Sequence, residues 1–242
     1  MIIADTHCHT SVSAHAFSSL KELATQAKGK GLLAFAVTDH APGIPDGAHE
    51  WHFATNNILP RKLEGVTLLK GVELNVMDRK GTLDLPEFKI KNLEWVIASL
   101  HEECIDPGDI EENSEVLLKI AKNPYIDVIG HCSTDMFKFD YEAVIPELAK
   151  NGKLIEINNH SLHTRPGALY NIYEILRICK KVGANIVVSS DAHIYSMVGD
   201  FETALKIINE VNFPEENIIN ASFDRLAEYI KDKRGIDIRE DD

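Results

Sequence analysis

The sequence predicts an α/β fold, a parallel sheet curled into a (β/α)7 barrel, and three observations carry the prediction. Seven short apolar runs rich in β-branched residues are separated by segments of helical period, no linker-like stretch interrupts the alternation, and every run is followed by a polar, chemically competent side chain. Near-continuous apolar runs of this length suit strands covered on both faces, as in a parallel sheet.

Taken in order, the first run, Ile2 to Ala4, leads into "DTHCHT" with Asp5, His7 and His9. A helix follows, with Leu20, Leu23, Ala24 and Ala27 on one face and Ser19 with Glu22 as a capping box. The second run, Leu32 to Val37, ends in "TDH" (Asp39, His40), and the third, Val66 to Val72, ends at Glu73. Trp95 to Leu100 delivers His101, and Val128 to Gly130 delivers His131. Val144, Ile145 and Leu148 mark the next helix, before Leu154 to Ile157 with Asn158 and Asn159 at its end. Leu169, Ile172, Ile175, Leu176 and Cys179 form a helical face ahead of Ile186 to Ser189, which runs into "SSDAH" with Asp191 and His193. Phe201, Ala204, Leu205 and Ile208 make another helix and Ser222 to about Lys231 the last; the charged tail "RGIDIREDD" is expected to fray. The whole chain, 1–242, reads as a single domain.

In parallel β/α folds the C-terminal strand ends are where sites are built, because the βα loops meet there. An open sheet would spread seven such ends along a line, whereas a closed barrel gathers them around one mouth. The expected architecture is therefore a distorted (β/α)7 barrel, seven strands rather than eight, with a gap in its wall.

Seven of the 11 histidines fall at or just after strand ends, which packing accidents would not select repeatedly, so the pattern points to metal binding at that end of the barrel. In His7-x-His9 an extended chain points both imidazoles to one side, and Asp191-x-His193 does the same from the last strand. Glu73 has two oxygens and can bridge two ions. His7, His9, His15, His40, His101, His131, His193, Glu73 and Asp191 are too many ligands for one four-coordinate ion and suggest two or three divalent metals. The cysteines Cys8, Cys104, Cys132 and Cys179 show no C-x-x-C spacing and read as reduced, buried thiols rather than ligands.

The motifs "DTHCHT", His15, "VTDHA", "GVELN", "SLHE", "IGHCS" and "SSDAH" together resemble the PHP (polymerase and histidinol phosphatase) superfamily of metal hydrolases, nearest the small bacterial phosphatases of the YcdX type, over essentially the whole chain. The resemblance implies a trinuclear site in which His7, His9, Glu73 and Asp191 hold one metal. Glu73 then bridges to a second metal held by His101 and His131, and His15, His40 and His193 hold the third. Zinc is the first expectation, with manganese or iron as alternatives.

Such a cluster lowers the pKa of a shared water and neutralises charge on a transferring phosphoryl group. The expected reaction is in-line attack by a metal-bridging hydroxide on a small phosphate monoester, with no covalent enzyme intermediate. Arg165 is a candidate phosphate clamp, Asn159 a donor to the substrate and His52 a lid residue; Asp39 either orients a histidine or caps a turn. His49, His160 and His163 stay unassigned, any one of them a candidate leaving-group acid. The net charge of -13 argues against a long nucleic-acid partner, and the local positive charge of bound ions is what admits an anionic substrate. No apolar stretch has the length of a membrane span and no signal-peptide pattern opens the chain, so a cytoplasmic location is expected; a homo-oligomer is compatible with the sequence. The rival readings are a phosphodiesterase or exonuclease-like PHP member, a histidinol-phosphate phosphatase, an amidohydrolase-type C–N hydrolase, and a metal-binding module without catalysis.

Overall fold

A computed structural model of the chain describes residues 1–240. Eight strands, β1 (Ala4–Asp5), β2 (Ala34–Val37), β3 (Lys62–Leu63), β4 (Val66–Asn75), β5 (Trp95–Ser99), β6 (Val128–Ile129), β7 (Leu154–Asn158) and β8 (Ile186–Ser189), form one sheet. Seven of them pair in parallel in the order β1-β2-β4-β5-β6-β7-β8, and β3 is a short antiparallel flap on β4. The helices are α1 (Leu20–Gly29), α2 (Glu50–Ala54), α3 (Glu87–Ile90), α4 (Ile110–Ala121), α5 (Tyr141–Lys150), α6 (Ser161–Thr164), α7 (Ala168–Val182), α8 (Glu202–Glu210) and α9 (Phe223–Arg234). The parallel sheet is nearly closed into a barrel, as the convergence of strand ends required.

Local chemistry explains the elements that position the site. The Ser19–Glu22 capping box forms as expected at the start of α1. An equivalent box, Asp109 with Glu112, starts α4, a helix beyond the sequence expectations that buries Val116, Leu117, Ile120 and Ala121. β4 is longer than its apolar run suggests: it continues through Glu73 to Asn75, so Glu73 sits within the sheet, not on a loop. Gly130, just after β6, leaves room for its neighbour, because a Cβ there would lie 2.1 Å from Ser99 Oγ.

The expected gap lies between β1 and β8. Toward the mouth the two edges meet through a parallel bridge between Cys8 and Ala192, with His9 N–H donating to Ala192 O at 2.8 Å. Lower down, the buried Asn220 takes the place of the missing backbone rungs. Its Nδ2 donates to Ala4 O (2.8 Å) and Val188 O (2.6 Å), its Oδ1 accepts from Val188 N (3.0 Å), and its own carbonyl accepts from Ile3 N. One side-chain amide thus satisfies edge groups that would otherwise be buried without partners.

Two hydrophobic layers result. The larger lies between the sheet and the surrounding helices, and a smaller one fills the barrel floor, where Ala34, Ala36, Leu69, Trp95, Ile97, Val128, Leu154 and Val187 meet Leu226, Ala227 and Ile230 of α9. The expectation of a frayed tail is corrected here for residues 234–240. Ile238 is completely buried in the floor cluster, Ile236 packs against it, and Asp237 accepts from Lys231 and Arg239. Two isoleucines at alternate positions gain enough from burial to outweigh the charge of the segment around them; residues 241 and 242 lie outside the described residues. No helix among the described residues is long and apolar enough to cross a membrane.

Candidate metal centre

Strand periodicity builds the centre directly above the floor. Alternate residues face inward, so β4 presents Leu69, Gly71, Glu73 and Asn75, β5 presents Trp95, Ile97 and Ser99, and β7 presents Leu154, Glu156 and Asn158. Each column changes from apolar to polar as it approaches the mouth.

Glu73 is the hub. Its Oε1 accepts from Ser99 Oγ at 2.6 Å and lies 3.0 Å from His131 Nε2 and 3.5 Å from His101 Nε2. Its Oε2 faces His40 Nδ1 at 2.8 Å, His7 Nε2 at 3.3 Å and His9 Nε2 at 3.5 Å. Asp191 Oδ1 lies 3.2 Å from His9 Nε2 and 3.6 Å from both His7 Nε2 and His193 Nδ1. His193 Nε2 meets His15 Nε2 at 2.7 Å, and His101 Nε2 meets His131 Nε2 at 3.1 Å. All nine residues expected as ligands are therefore brought together. Donor atoms of His7, His9 and Asp191, of His9, His40 and His193, and of His40, Glu73 and His101 cluster tightly enough for each set to hold an ion. His9 and His40 each belong to two of these sets, whereas the resemblance gives each of them to one ion.

Electrostatics set the protonation of the centre. Burial pushes the His9 pKa down to about 3 and that of His131 to about 4, which leaves both as neutral imidazoles, the form that donates a lone pair to a cation. Burial also disfavours charge on His7, but Glu156, Asp191 and Glu73 outweigh it and hold His7 well above the ordinary histidine value. Burial likewise opposes ionisation of Glu73 and Asp191, yet the surrounding imidazoles, His40 and His7 foremost for Glu73 and His7 for Asp191, keep both well below the usual carboxylate range. The pocket is thus a set of ionised carboxylates compensated by rings, an arrangement with affinity for cations.

The centre opens into a cavity of about 910 Å³. Arg165 lines it, together with Ile44, Pro45, Met136 and Pro166, and so does His160, whose ring lies 6.2 Å from that of His193. Two other candidates stand outside the lining of this cavity. Asn159 is buried and outside the cavity lining, its Oδ1 accepting from Ala204 N at 3.0 Å, which ties the loop after β7 to α8. His52 is also outside the lining; its Nε2 lies 3.2 Å from Asp39 Oδ2. Asp39 holds neither a metal-site histidine nor a turn of its own: it accepts from Thr10 N, Thr10 Oγ1 and Ser13 Oγ, fixing the loop that carries His9 and His15. Among the unassigned histidines, His49 caps α2 and His163 Nε2 hydrogen-bonds with Thr203 Oγ1. Cys8 and Cys132 are buried, and burial pushes the Cys132 thiol up to about 12, consistent with inert packing residues.

Four residues brace the ligands; Asp46, Asn75 and Glu156 escaped the sequence reading, and Asn158 was read only as a polar strand end. Asp46 hydrogen-bonds His15 Nδ1, Asn75 Oδ1 accepts from His101 Nδ1 at 2.6 Å, Asn158 Nδ2 donates to Asp191 Oδ2 at 3.1 Å, and Glu156 Oε1 accepts from His7 Nδ1 at 2.6 Å. Glu156 had one visible signal, a lone acidic residue at an alternate position within the apolar run "LIEI".

The PHP domain model matches residues 5–240. The chain belongs to the PHP domain family. Among its PHP relatives, a protein of Acetivibrio thermocellus named "Probable phosphatase" is 43% identical over 232 residues, 96% of each chain, and a "Probable phosphatase" of Thermoanaerobacter sp. is 44% identical over 235 residues, again 96% of each. Among solved structures, the histidinol phosphate phosphatase of Lactococcus lactis, crystallised with zinc, L-histidinol and phosphate, superposes with a TM-score of 0.59 at 18% identity, covering 87% of this chain and 94% of that one. The phosphoesterase class implied by the PHP motifs is the class these relatives carry.

Proposed function

We propose that this PHP protein is a metal-dependent phosphatase of small phosphate monoesters whose centre holds three divalent ions, zinc foremost, with manganese or iron as alternatives. One observation carries the reading. His7 Nε2, His9 Nε2 and His40 Nδ1 are buried and lie 2.8–3.5 Å from the buried Glu73 Oε2, yet none of these four atoms makes a well-oriented hydrogen bond. A buried polar atom left unsatisfied costs roughly 1–3 kcal/mol, and four such atoms converging on one place are explained by cations that they share.

In this reading His7, His9, Glu73 and Asp191 take one ion, Glu73 with His101 and His131 a second, and His15, His40 and His193 a third. Ions bound there supply Lewis acidity, activating water near neutral pH and screening a phosphoryl group. The chain's own residues do the rest. Arg165 lines the cavity, which supports the reading that it clamps phosphoryl oxygens bidentately. Ile44, Pro45, Met136 and Pro166 give the lining apolar surface against which a leaving group can pack. A cavity of about 910 Å³ suits a metabolite-sized ester, and the net charge of -13 repels a polynucleotide.

The test is metal content by inductively coupled plasma mass spectrometry, on protein purified without added metal or chelator, alongside turnover of 4-nitrophenyl phosphate. Close to three transition-metal equivalents per chain with turnover is the expected result. A content near one or zero that persists after supplementation with zinc and manganese overturns the three-ion reading.

A further inference from the structure

Beneath the proposed ligands lies one buried carboxylate that the reading above leaves without a role. Glu156, on β7, is essentially inaccessible and accepts four donors. His7 Nδ1 and Ser189 Oγ both donate to Oε1 at 2.6 Å, and the His131 backbone N–H (2.5 Å) and Asn158 Nδ2 (3.2 Å) donate to Oε2. Its two oxygens therefore reach residues assigned to two different ions. One of them is held in a left-handed backbone conformation, His131 at φ 25°.

We infer that Glu156 is a positioning residue for metal binding: it fixes the His7 tautomer that presents Nε2 to the ion and holds the His131 loop in its strained conformation. The inference rests on the three-ion reading above. The chemical logic is one of donors and acceptors. An ionised carboxylate only accepts, so the His7 nitrogen facing it keeps its proton, and the nitrogen that gives up its proton to an ion is Nε2, which faces Glu73 and Asp191. A glutamine at the same place has one acceptor and one donor end for the same four donors. Whichever way the amide turns, its NH2 meets either His7 Nδ1 and Ser189, or the His131 N–H and Asn158. The first orientation demands an Nε2–H tautomer of His7, which cannot ligate through Nε2. The second removes the acceptor that holds the strained backbone of His131.

The experiment is zinc titration calorimetry on apo wild-type, Glu156→Gln and Ser189→Ala proteins, with 15N NMR of the histidine rings in the zinc-loaded forms. In E156Q at least one zinc is expected to bind about 10- to 100-fold more weakly, with the His7 ring nitrogens shifted from the Nδ1–H pattern or the His131 amide displaced. S189A removes a bond to the same oxygen but leaves the carboxylate in place, so it is expected to lower thermal stability while retaining wild-type zinc affinity and the His7 pattern. Wild-type affinity and ring shifts in E156Q overturn the inference while leaving the metal centre intact, and equal losses of zinc affinity in both variants reduce Glu156 to a packing role. Failure of the wild type itself to bind zinc overturns the parent reading and this one together.

Discussion

At the floor of the barrel the inward positions are Leu69, Trp95, Val128, Leu154 and Val187, sealed by Ile230 and Ile238. Two to four residues further along three of the same columns stand Glu73, Ser99 and Glu156, about 7–13 Å nearer the mouth. The floor joins apolar surfaces that gain free energy by leaving water, at roughly 25 cal/mol per Å². The mouth buries carboxylates and imidazoles that lose hydration and recover it only through one another. The difference teaches that the strands are held together from below and kept reactive from above: the lower layer stabilises an upper layer that could not fold as a core by itself.

Three predictions break or sharpen that division. The largest effect belongs to Glu73→Gln, which removes the carboxylate whose oxygens face five imidazoles within 3.5 Å. Turnover of 4-nitrophenyl phosphate should fall by more than about 1000-fold, with zinc content reduced and the far-ultraviolet circular dichroism unchanged. Activity within about tenfold of wild type would detach chemistry from the mouth.

Next is the floor. Trp95 is fully buried, and Trp95→Ala should cost about 3–5 kcal/mol in urea unfolding, while the folded fraction keeps its kcat and metal content. A parallel collapse of kcat in the folded protein would show that the two layers are not separable.

The smallest effect concerns Lys153, beside the floor, whose Nζ donates to Ile126 O at 2.7 Å and to Asn123 O. Burial lowers its pKa from 10.5 to about 8. Between these values the unfolded chain binds the proton that the folded chain has released, so the contribution of Lys153 to stability rises as pH climbs from about 8 to 10.5. Thermal denaturation of wild type and Lys153→Met across that range should show the rise only in the wild-type-minus-variant difference. A flat difference would mean that the two carbonyls offset the burial of the ammonium.

How much of this was legible in the sequence follows from the range of the interactions involved. Strand alternation, helix faces, capping residues and the placement of His, Glu and Asp at strand ends are local patterns, with periods of 2 and 3.6 residues, and the sequence by itself determined them. It also determined that these ends converge, because only a closed parallel sheet gathers so many ligand types at one mouth. The tertiary structure alone decided which groups hold the ligands and which close the wall. Glu156 meets His7 across 149 residues, and Asn220 meets Ala4 across 216. It also turned His52 onto Asp39 and Asn159 onto α8, and drew Ile238 under the barrel. Such contacts have no period to read: they depend on where the closing sheet places a donor and an acceptor within about 3 Å, and on the cost of leaving either one buried without the other.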